Sequence, residues 1–295
     1  MRVRSNGPHT SPAVMNPQST QDEAEREDVL LRAASLLILT LTALSPVRAA
    51  DRQSLYVDDL TWTELRDRVA GGDTTVIIPI GGTEQNGPHM ALGKHNIRVR
   101  LLAGKIAEAL GNTLVAPVIA YVPEGGLSPP SAHMRYPGTI TTPEDAFART
   151  LEYAARSFKL HGFRDVVLLG DHGSYQSIEV AVAGRLNREW AASGARVHAA
   201  PEYYRAATSD FAKLLADRGY AASESGKHAG LSDTSLMMAL DPRLVRTDRL
   251  RPGEGVEGDP SRSSAALGQL GVDLIVNETV ETLRKAIAAP RTGLR

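Results

Sequence analysis

The chain contains no cysteine among its 295 residues. This absence excludes disulfide bridges, thiolate zinc sites, iron–sulfur clusters and cysteine nucleophiles. Any metal ion must therefore be bound by histidine, by carboxylates or by amide oxygens. The eight histidines become the first residues to consider as ligands.

Excess charge of one sign and aromatic side chains are also scarce. The chain has 33 basic and 34 acidic residues, a formal net charge of −1, and aromatic side chains make up only 5% of it. Nucleic-acid binding needs a basic surface, and single-stranded nucleic acid also needs aromatic stacking platforms. We therefore expect no nucleic-acid partner.

Residues 1–50 are predicted to be a leader that ends in a secretory signal peptide. The basic residue Arg32 precedes an apolar stretch over residues 33–44, a Ser-Pro breaker and a run of small residues that ends at Ala50. This order is typical of a cleaved signal, and its apolar core is too short to span a bilayer. We expect cleavage after residue 49 or 50 and a periplasmic or secreted protein without a stable membrane anchor. An uncleaved anchor and a buried helix of the fold are the alternatives.

Residues 51–295 are predicted to form one domain in which strands and helices alternate. Apolar, β-branched runs predict strands over residues 74–80, 113–122, 166–169 and 196–200. Helices are predicted from a capping box at Thr61 to Gly71, over residues 97–110 and 142–161, and from the third strand to about Gly194. This alternation predicts a three-layer α/β/α fold with a mostly parallel central sheet.

Polar motifs follow two of the predicted strands directly. Glu84 lies in a glycine-rich stretch after the first strand, with His95 further along the same segment, and His172 follows the third strand. Parallel sheets bind ligands beyond the carboxyl ends of their strands. One glutamate and two histidines match a catalytic zinc site, in which three protein ligands leave a position for water. Taken singly, Glu84 is also consistent with a helix cap or an ion pair, and His95 with a surface histidine.

Four stretches of the chain resemble motifs of the creatininase family. Residues 80–90 are similar to G-[SG]-x-E-Q-H-G-P-H-[LM], and residues 133–139 to H-x-x-[FY]-P-G-T. Residues 168–174 contain a stretch similar to N-G-H-G-G-N, with His172 at its histidine, and residues 228–238 are similar to H-A-G-x-x-E-T-S-L-M-L. The resemblance implies an α/β/α fold, a homo-oligomer, often a hexamer, and metal-dependent hydrolysis of amide C–N bonds in a small-molecule substrate. It places Glu84 and His172 on metal ligands and His228 on a histidine that shuttles protons.

Three departures from the family pattern bear on the number of metal ions. His95 stands where the family has a bridging aspartate, Asn86 where it has a histidine, and Ser174 where creatininase has a carboxylate. Histidine bridges two metals poorly, and asparagine and serine are weak ligands for a transition metal. We therefore predict one tightly bound divalent ion, zinc or else manganese or iron, held by Glu84, His95 and His172.

The remaining candidate residues surround these ligands in the motifs. His228 is predicted to protonate the leaving nitrogen, although a histidine bound to backbone at the start of a helix is the alternative. Asp233 is predicted to accept a proton from water, and Asp171 or Asp233 to add a fourth oxygen ligand. The predicted substrate contacts are Asn86, His89, His133, Ser174 and Tyr175.

Three functions are consistent with this sequence. The first is hydrolysis of an amide, cyclic or linear, by metal-activated water. The second is hydrolysis of a lactone or another ester at the same site. The third is a degenerate, non-catalytic family member that binds a ligand. No counterpart of the tryptophans that close over creatinine is evident, so we do not expect creatinine to be the substrate.

The first prediction concerns the start of translation. An acidic cluster over residues 22–28 precedes the signal, where a basic segment is expected. We hypothesise that the start codon encodes residue 29. Intact-mass spectrometry of the precursor should then give a species without residues 1–28. A precursor that retains them would show the hypothesis to be wrong.

Overall fold

Four parallel strands form the central sheet, in the order β2-β1-β3-β4. The computed structural model describes residues 54–291, so the predicted leader lies outside the described residues. The strands are β1 (Thr75–Ile80), β2 (Thr113–Val115), β3 (Asp165–Gly170) and β4 (Arg196–Ala199). Every residue of β1 and β3 is buried, because a parallel strand is covered on both faces. The predicted parallel α/β fold class is confirmed.

Helices connect the strands and cover both faces of the sheet. They are α1 (Trp62–Ala70), α2 (Lys94–Leu110), α3 (Glu144–Leu160), α4 (Gln176–Glu189), α5 (Pro201–Arg205), α6 (Phe211–Ala216), α7 (Ala222–Ser225), α8 (Leu231–Leu240) and α9 (Ala265–Ala288). A π-helical segment, Ala206–Asp210, joins α5 to α6. Within residues 54–291, no helix has both the length and the apolar character needed to cross a membrane.

Two apolar cores lie on opposite faces of the sheet. Ile77 of β1 packs in one core with residues of α2, α5, α6 and α9. Val76, Ile78 and Ile80 of the same strand pack in the other core, with residues of α3 and α4. Successive side chains of a strand point to opposite faces, so β1 contributes to both cores. The three predicted layers follow from this alternation.

Several element boundaries differ from the prediction. Strand β2 ends at Val115, because the chain then bulges. Ile77 pairs with Val115 and Ile80 with Ile119, so three steps along β1 match four along this segment. Pro117 lies in the bulge, where a residue without an amide hydrogen is tolerated.

Two helices also begin or end elsewhere than predicted. Helix α2 begins at Lys94 and not near residue 97, which places His95 in its first turn. Helix α4 ends at Glu189 and not near Gly194. The capping box at Thr61 is confirmed, since its Oγ1 accepts from the Glu64 amide and its own amide donates to Glu64 Oε2 at 2.7 Å.

The contact between α8 and α9 gives a prediction for stability. A Cβ on Gly268 would lie 1.8 Å from the main-chain oxygen of Ser235. We expect Gly268→Ala to lower the free energy of unfolding by about 1–3 kcal/mol, because the two helices must separate to admit a methyl group. Urea denaturation of the mature protein measures this change.

A second glycine within a helix serves as the matched control. A Cβ on Gly184 of α4 would meet only the end of the Arg188 side chain, at 3.6 Å. Gly184→Ala should therefore stabilise the protein by up to about 1 kcal/mol through helix propensity. Equal effects of the two substitutions would contradict the close packing of α8 on α9.

Candidate metal centre

The candidate site lies where the neighbouring strands β1 and β3 end. Ile80 and Gly170, the last residues of the two strands, are partners in the sheet register. Glu84 lies four residues beyond Ile80, and His172 lies two residues beyond Gly170. His95 reaches the same place from the first turn of α2. The strand register therefore brings together three residues that are far apart in sequence.

Glu84 is the centre of this arrangement and is fully buried. Its Oε1 lies 2.7 Å from Nε2 of His95, and its Oε2 lies 3.4 Å from Nε2 of His172. One ligand atom from each of these residues falls within 4.8 Å of the other two. The structure thus brings the three predicted ligands together in one candidate metal site.

A second group of candidate ligands shares Glu84. Nε2 of His133 lies 3.2 Å from Glu84 Oε2, and Nδ1 of His228 lies 3.6 Å from Glu84 Oε1. These atoms also fall within 4.8 Å of one another. The two imidazole rings lie together with centroids 4.5 Å apart. His133, predicted as a substrate contact, is therefore placed as a candidate ligand as well.

The donor set fits a divalent transition metal. Burial by itself raises the pKa of Glu84, but His172, His95 and Lys94 outweigh that effect and hold the pKa well below its usual range. Glu84 is therefore an anion, and its buried Oε2 has no hydrogen-bond partner within the described part of the chain. Carboxylate and imidazole donors suit zinc, manganese and iron.

Asp171 lies behind His95, on the side away from Glu84. Its Oδ2 lies 2.6 Å from His95 Nδ1 and accepts a hydrogen bond from Arg98 Nε at 2.9 Å, while its Oδ1 accepts one from the Tyr203 hydroxyl at 2.5 Å. A carboxylate on the far nitrogen of a ligand histidine fixes the orientation of the ring. The alternative that Asp171 supplies a fourth ligand is not supported, because these three partners occupy its oxygens.

Asp233 is bound by cations at both oxygens. Oδ2 accepts from Lys94 Nζ and from the Ala229 amide, each at 2.9 Å, and Oδ1 accepts from Arg98 Nη1 at 2.5 Å. Although burial raises its pKa, Lys94 and Arg98 hold the pKa of Asp233 well below the usual range. This placement favours a positioning role for Asp233 and does not support its predicted roles as proton acceptor or metal ligand.

Residues 58–283 match the family described as "Creatininase: Creatinine amidohydrolase". The chain belongs to the creatininase family. A creatinine amidohydrolase from Pseudomonas putida is 29% identical over 206 residues, which cover 67% of this chain and 76% of the relative. A mycofactocin precursor peptide peptidase from Mycobacterium tuberculosis is 26% identical over 247 residues, covering 73% and 87%. A solved structure described as "Creatininase Mn" superposes with a TM-score of 0.68 at 25% identity, covering 80% of this chain and all of that one.

Two departures from the creatininase pattern support the ligands through other contacts. The Asn86 side chain donates to the main-chain oxygens of Glu84 and Ala91, at 2.9 and 3.2 Å. Ser174 Oγ lies 2.9 Å from His172 Nδ1 and donates to the Pro123 oxygen at 2.7 Å. Asn86 therefore shapes the loop that carries Glu84, while Ser174 leaves His172 Nε2 facing the carboxylate.

Three of the five predicted substrate contacts have no exposed surface that a substrate could touch. Asn86, His89 and Tyr175 are fully buried. His89 Nε2 lies 3.0 Å from Thr234 Oγ1, and the Tyr175 hydroxyl lies within hydrogen-bond distance of the main-chain oxygens of Ile80 and Gly81, at 2.9 and 2.6 Å. These predictions are corrected: the three side chains hold the loops together. His133, with 23% of its side chain exposed, and Ser174 keep accessible surface.

The sequence interpretation missed three charged residues at the site. Lys94 and Arg98 are buried and share a face of α2 with His95, so the spacing of 94, 95 and 98 was a usable signal. Glu124 is buried beside His172, with Oε2 3.7 Å from Nε2. It follows β2 and precedes two glycines, the same context that singled out Glu84.

The metal content of histidine variants tests the site. The mature protein, purified without chelator, should hold about one transition-metal ion per chain, and His95→Ala or His172→Ala should remove most of it because each deletes a nitrogen donor. Elemental analysis gives the stoichiometry. His161→Ala, at an exposed residue that follows α3, is the control and should leave the metal content unchanged.

Two results would contradict the assignment. Unchanged metal content in both site variants would place His95 and His172 outside the coordination shell. Two tightly held ions per chain would refute the prediction of a single metal.

Proposed function

We propose that this protein is a metal-dependent hydrolase that cleaves an amide C–N bond, cyclic or linear, in a small-molecule substrate. The observation that supports the proposal most is that two candidate metal ligands and a candidate proton-transfer group all lie next to the same carboxylate, that of Glu84. Glu84 contacts His95 and His172 on the one hand and His228 on the other.

The proposed reaction would use a bound metal ion together with side chains that position its ligands. A divalent ion held by Glu84, His95 and His172 would supply Lewis-acid polarisation of the carbonyl and a lowered pKa for water. Asp171 and Arg98 keep the His95 ring fixed from behind. Lys94, 3.9 Å from Glu84 Oε1, adds a positive charge beside the carboxylate.

His228 is proposed to act first as a proton acceptor and then as a proton donor. Its Nε2 lies 2.8 Å from the Gln85 oxygen and must carry the hydrogen, because a carbonyl can only accept. Burial and the charge of Lys94 lower the pKa of His228 to about 3, so the ring is neutral near pH 7. The unprotonated Nδ1 can therefore take a proton from the attacking water and pass it to the departing nitrogen.

Two of the relatives favour an amide over a lactone. Their names describe the hydrolysis of creatinine and of a precursor peptide, which both contain C–N bonds. Creatinine itself is a poor candidate here, because neither tryptophan reaches the site. Trp190 is buried in the core of α3 and α4, and Trp62 is exposed on α1 beside Arg66.

We also propose that the protein is exported to the periplasm or secreted and assembles as a homo-oligomer. Export is supported by the signal-peptide pattern of residues 1–50. A hexamer is what the family resemblance implies. Light scattering of the mature protein tests the assembly.

Replacing His228 tests the proposed proton transfer. We expect His228→Ala to lower kcat by about 10²–10⁴-fold, as loss of a general acid–base group does, with the metal content unchanged. The measurement is steady-state hydrolysis of a panel of cyclic amides, linear peptides and lactones, with elemental analysis of the same samples.

Three outcomes would change the proposal. A parallel loss of metal would make His228 a ligand, and an unchanged kcat would remove it from the reaction. Hydrolysis of lactones alone would replace the amide with an ester. If the metal-loaded protein hydrolyses no compound of the panel, the non-catalytic alternative is favoured.

A further inference from the structure

Glu124 has a buried carboxyl group without hydrogen bonds to the part of the chain that the structure describes. Only 3% of the residue is exposed, and neither side-chain oxygen has a hydrogen-bond partner within residues 54–291. A carboxylate removed from water without hydrogen bonds or a cation is strongly destabilising. A bound cation would stabilise the charged form of Glu124 in this position.

Glu124 and Glu84 both lie close to one imidazole nitrogen. Nε2 of His172 is 3.7 Å from Glu124 Oε2 and 3.4 Å from Glu84 Oε2. Zinc binds nitrogen and oxygen at about 2.0–2.2 Å, so neighbouring ligand atoms of a tetrahedral site are about 3.3–3.6 Å apart. The two separations at His172 are close to those of a coordination shell and too long for hydrogen bonds of normal strength.

The backbone around Glu124 makes room for this approach. A Cβ on Gly82 would lie 2.4 Å from Glu124 Oε1, and the φ of Gly82, +153°, also favours glycine. The Pro123 oxygen, which immediately precedes Glu124, accepts a hydrogen bond from Ser174 Oγ. Ser174 stands where creatininase has a carboxylate. The hydrogen bond therefore joins the segment that carries Glu124 to the residue that replaces that carboxylate.

We propose that Glu124 is a ligand of the metal ion, on the His172 side of the site. The ligand set then contains two carboxylates and two imidazoles, its charge neutralises a divalent ion, and the water of the proposed function would be a fifth ligand. The proposal deepens the proposed function and rests on it for the presence of a metal. Ser174 alone could not replace a carboxylate, because its hydroxyl is neutral and a weak ligand for a transition metal.

The test compares Glu124→Gln with a matched variant. Glu179 is also buried, at 1% exposed, and neither of its oxygens has a hydrogen-bond partner among the described residues, but it packs against Gly170 in β3. Zinc affinity is measured on the mature protein by competition with a chelator, and thermal melts of the metal-free proteins check folding. We expect Glu124→Gln to weaken zinc binding by at least ~10-fold, and Glu179→Gln to change it by less than about twofold.

A spectroscopic readout separates a ligand from a supporting residue. The visible absorption of the Co²⁺-loaded protein depends on the number and geometry of its ligands. It should change in Glu124→Gln and stay the same in Glu179→Gln. Glu124→Asp, which keeps a carboxylate, should retain more zinc affinity than Glu124→Gln.

The possible results distinguish this proposal from the hydrolase itself. Unchanged zinc affinity and an unchanged Co²⁺ spectrum in Glu124→Gln would overturn the ligand assignment, even if activity fell. If Glu124→Gln weakens metal binding but the protein hydrolyses no amide or ester, the assignment of Glu124 as a ligand stands and the proposed hydrolase function is refuted. Loss of one of two bound ions would keep Glu124 as a ligand and refute the single metal.

Discussion

The burial of the Glu84 carboxylate is the constraint on which the rest of the site depends. A negative charge that is fully removed from water must be balanced by neighbouring groups. The balance comes from a closed ring of alternating acidic and basic side chains. In order around the ring, its members are Glu84, His95, Asp171, Arg98, Asp233 and Lys94. Each of the three carboxylates thereby lies between two nitrogen-bearing groups.

Helix α2 supplies all the nitrogen-bearing members of this ring. Lys94, His95 and Arg98 lie within its first two turns, on one buried face. The carboxylates come from three other places, namely the loop after β1, the end of β3 and the first turn of α8. Removing one member would leave a buried charge without its partner, which typically costs more than the pair contributes. The ring therefore ties the positions of the strands and helices to the geometry of the metal ligands.

Much of this could be predicted from the sequence, because strands buried on both faces leave a plain signal. The apolar runs of β1 and β3 located the ends at which Glu84 and His172 meet. The charged residues were harder to place. Lys94 and Arg98 are of types that are usually solvated, and Tyr175 was predicted to contact substrate although its hydroxyl is bound to the main chain. Glu124 was missed although it comes two residues after the strand predicted over residues 113–122, because a glutamate on a loop is usually solvated.

A single carboxylate belongs to both groups of candidate ligands, and this sharing couples them. Any proton or cation that binds Glu84 withdraws electron density from the whole carboxylate, so filling one group weakens the other. By linkage the penalty is the same in either order. Two ions entering this pocket would thus bind anticooperatively, the first tightly and the second only at higher concentration. The number of metal ions bound per chain would then depend on the metal concentration around the protein as well as on its ligand residues.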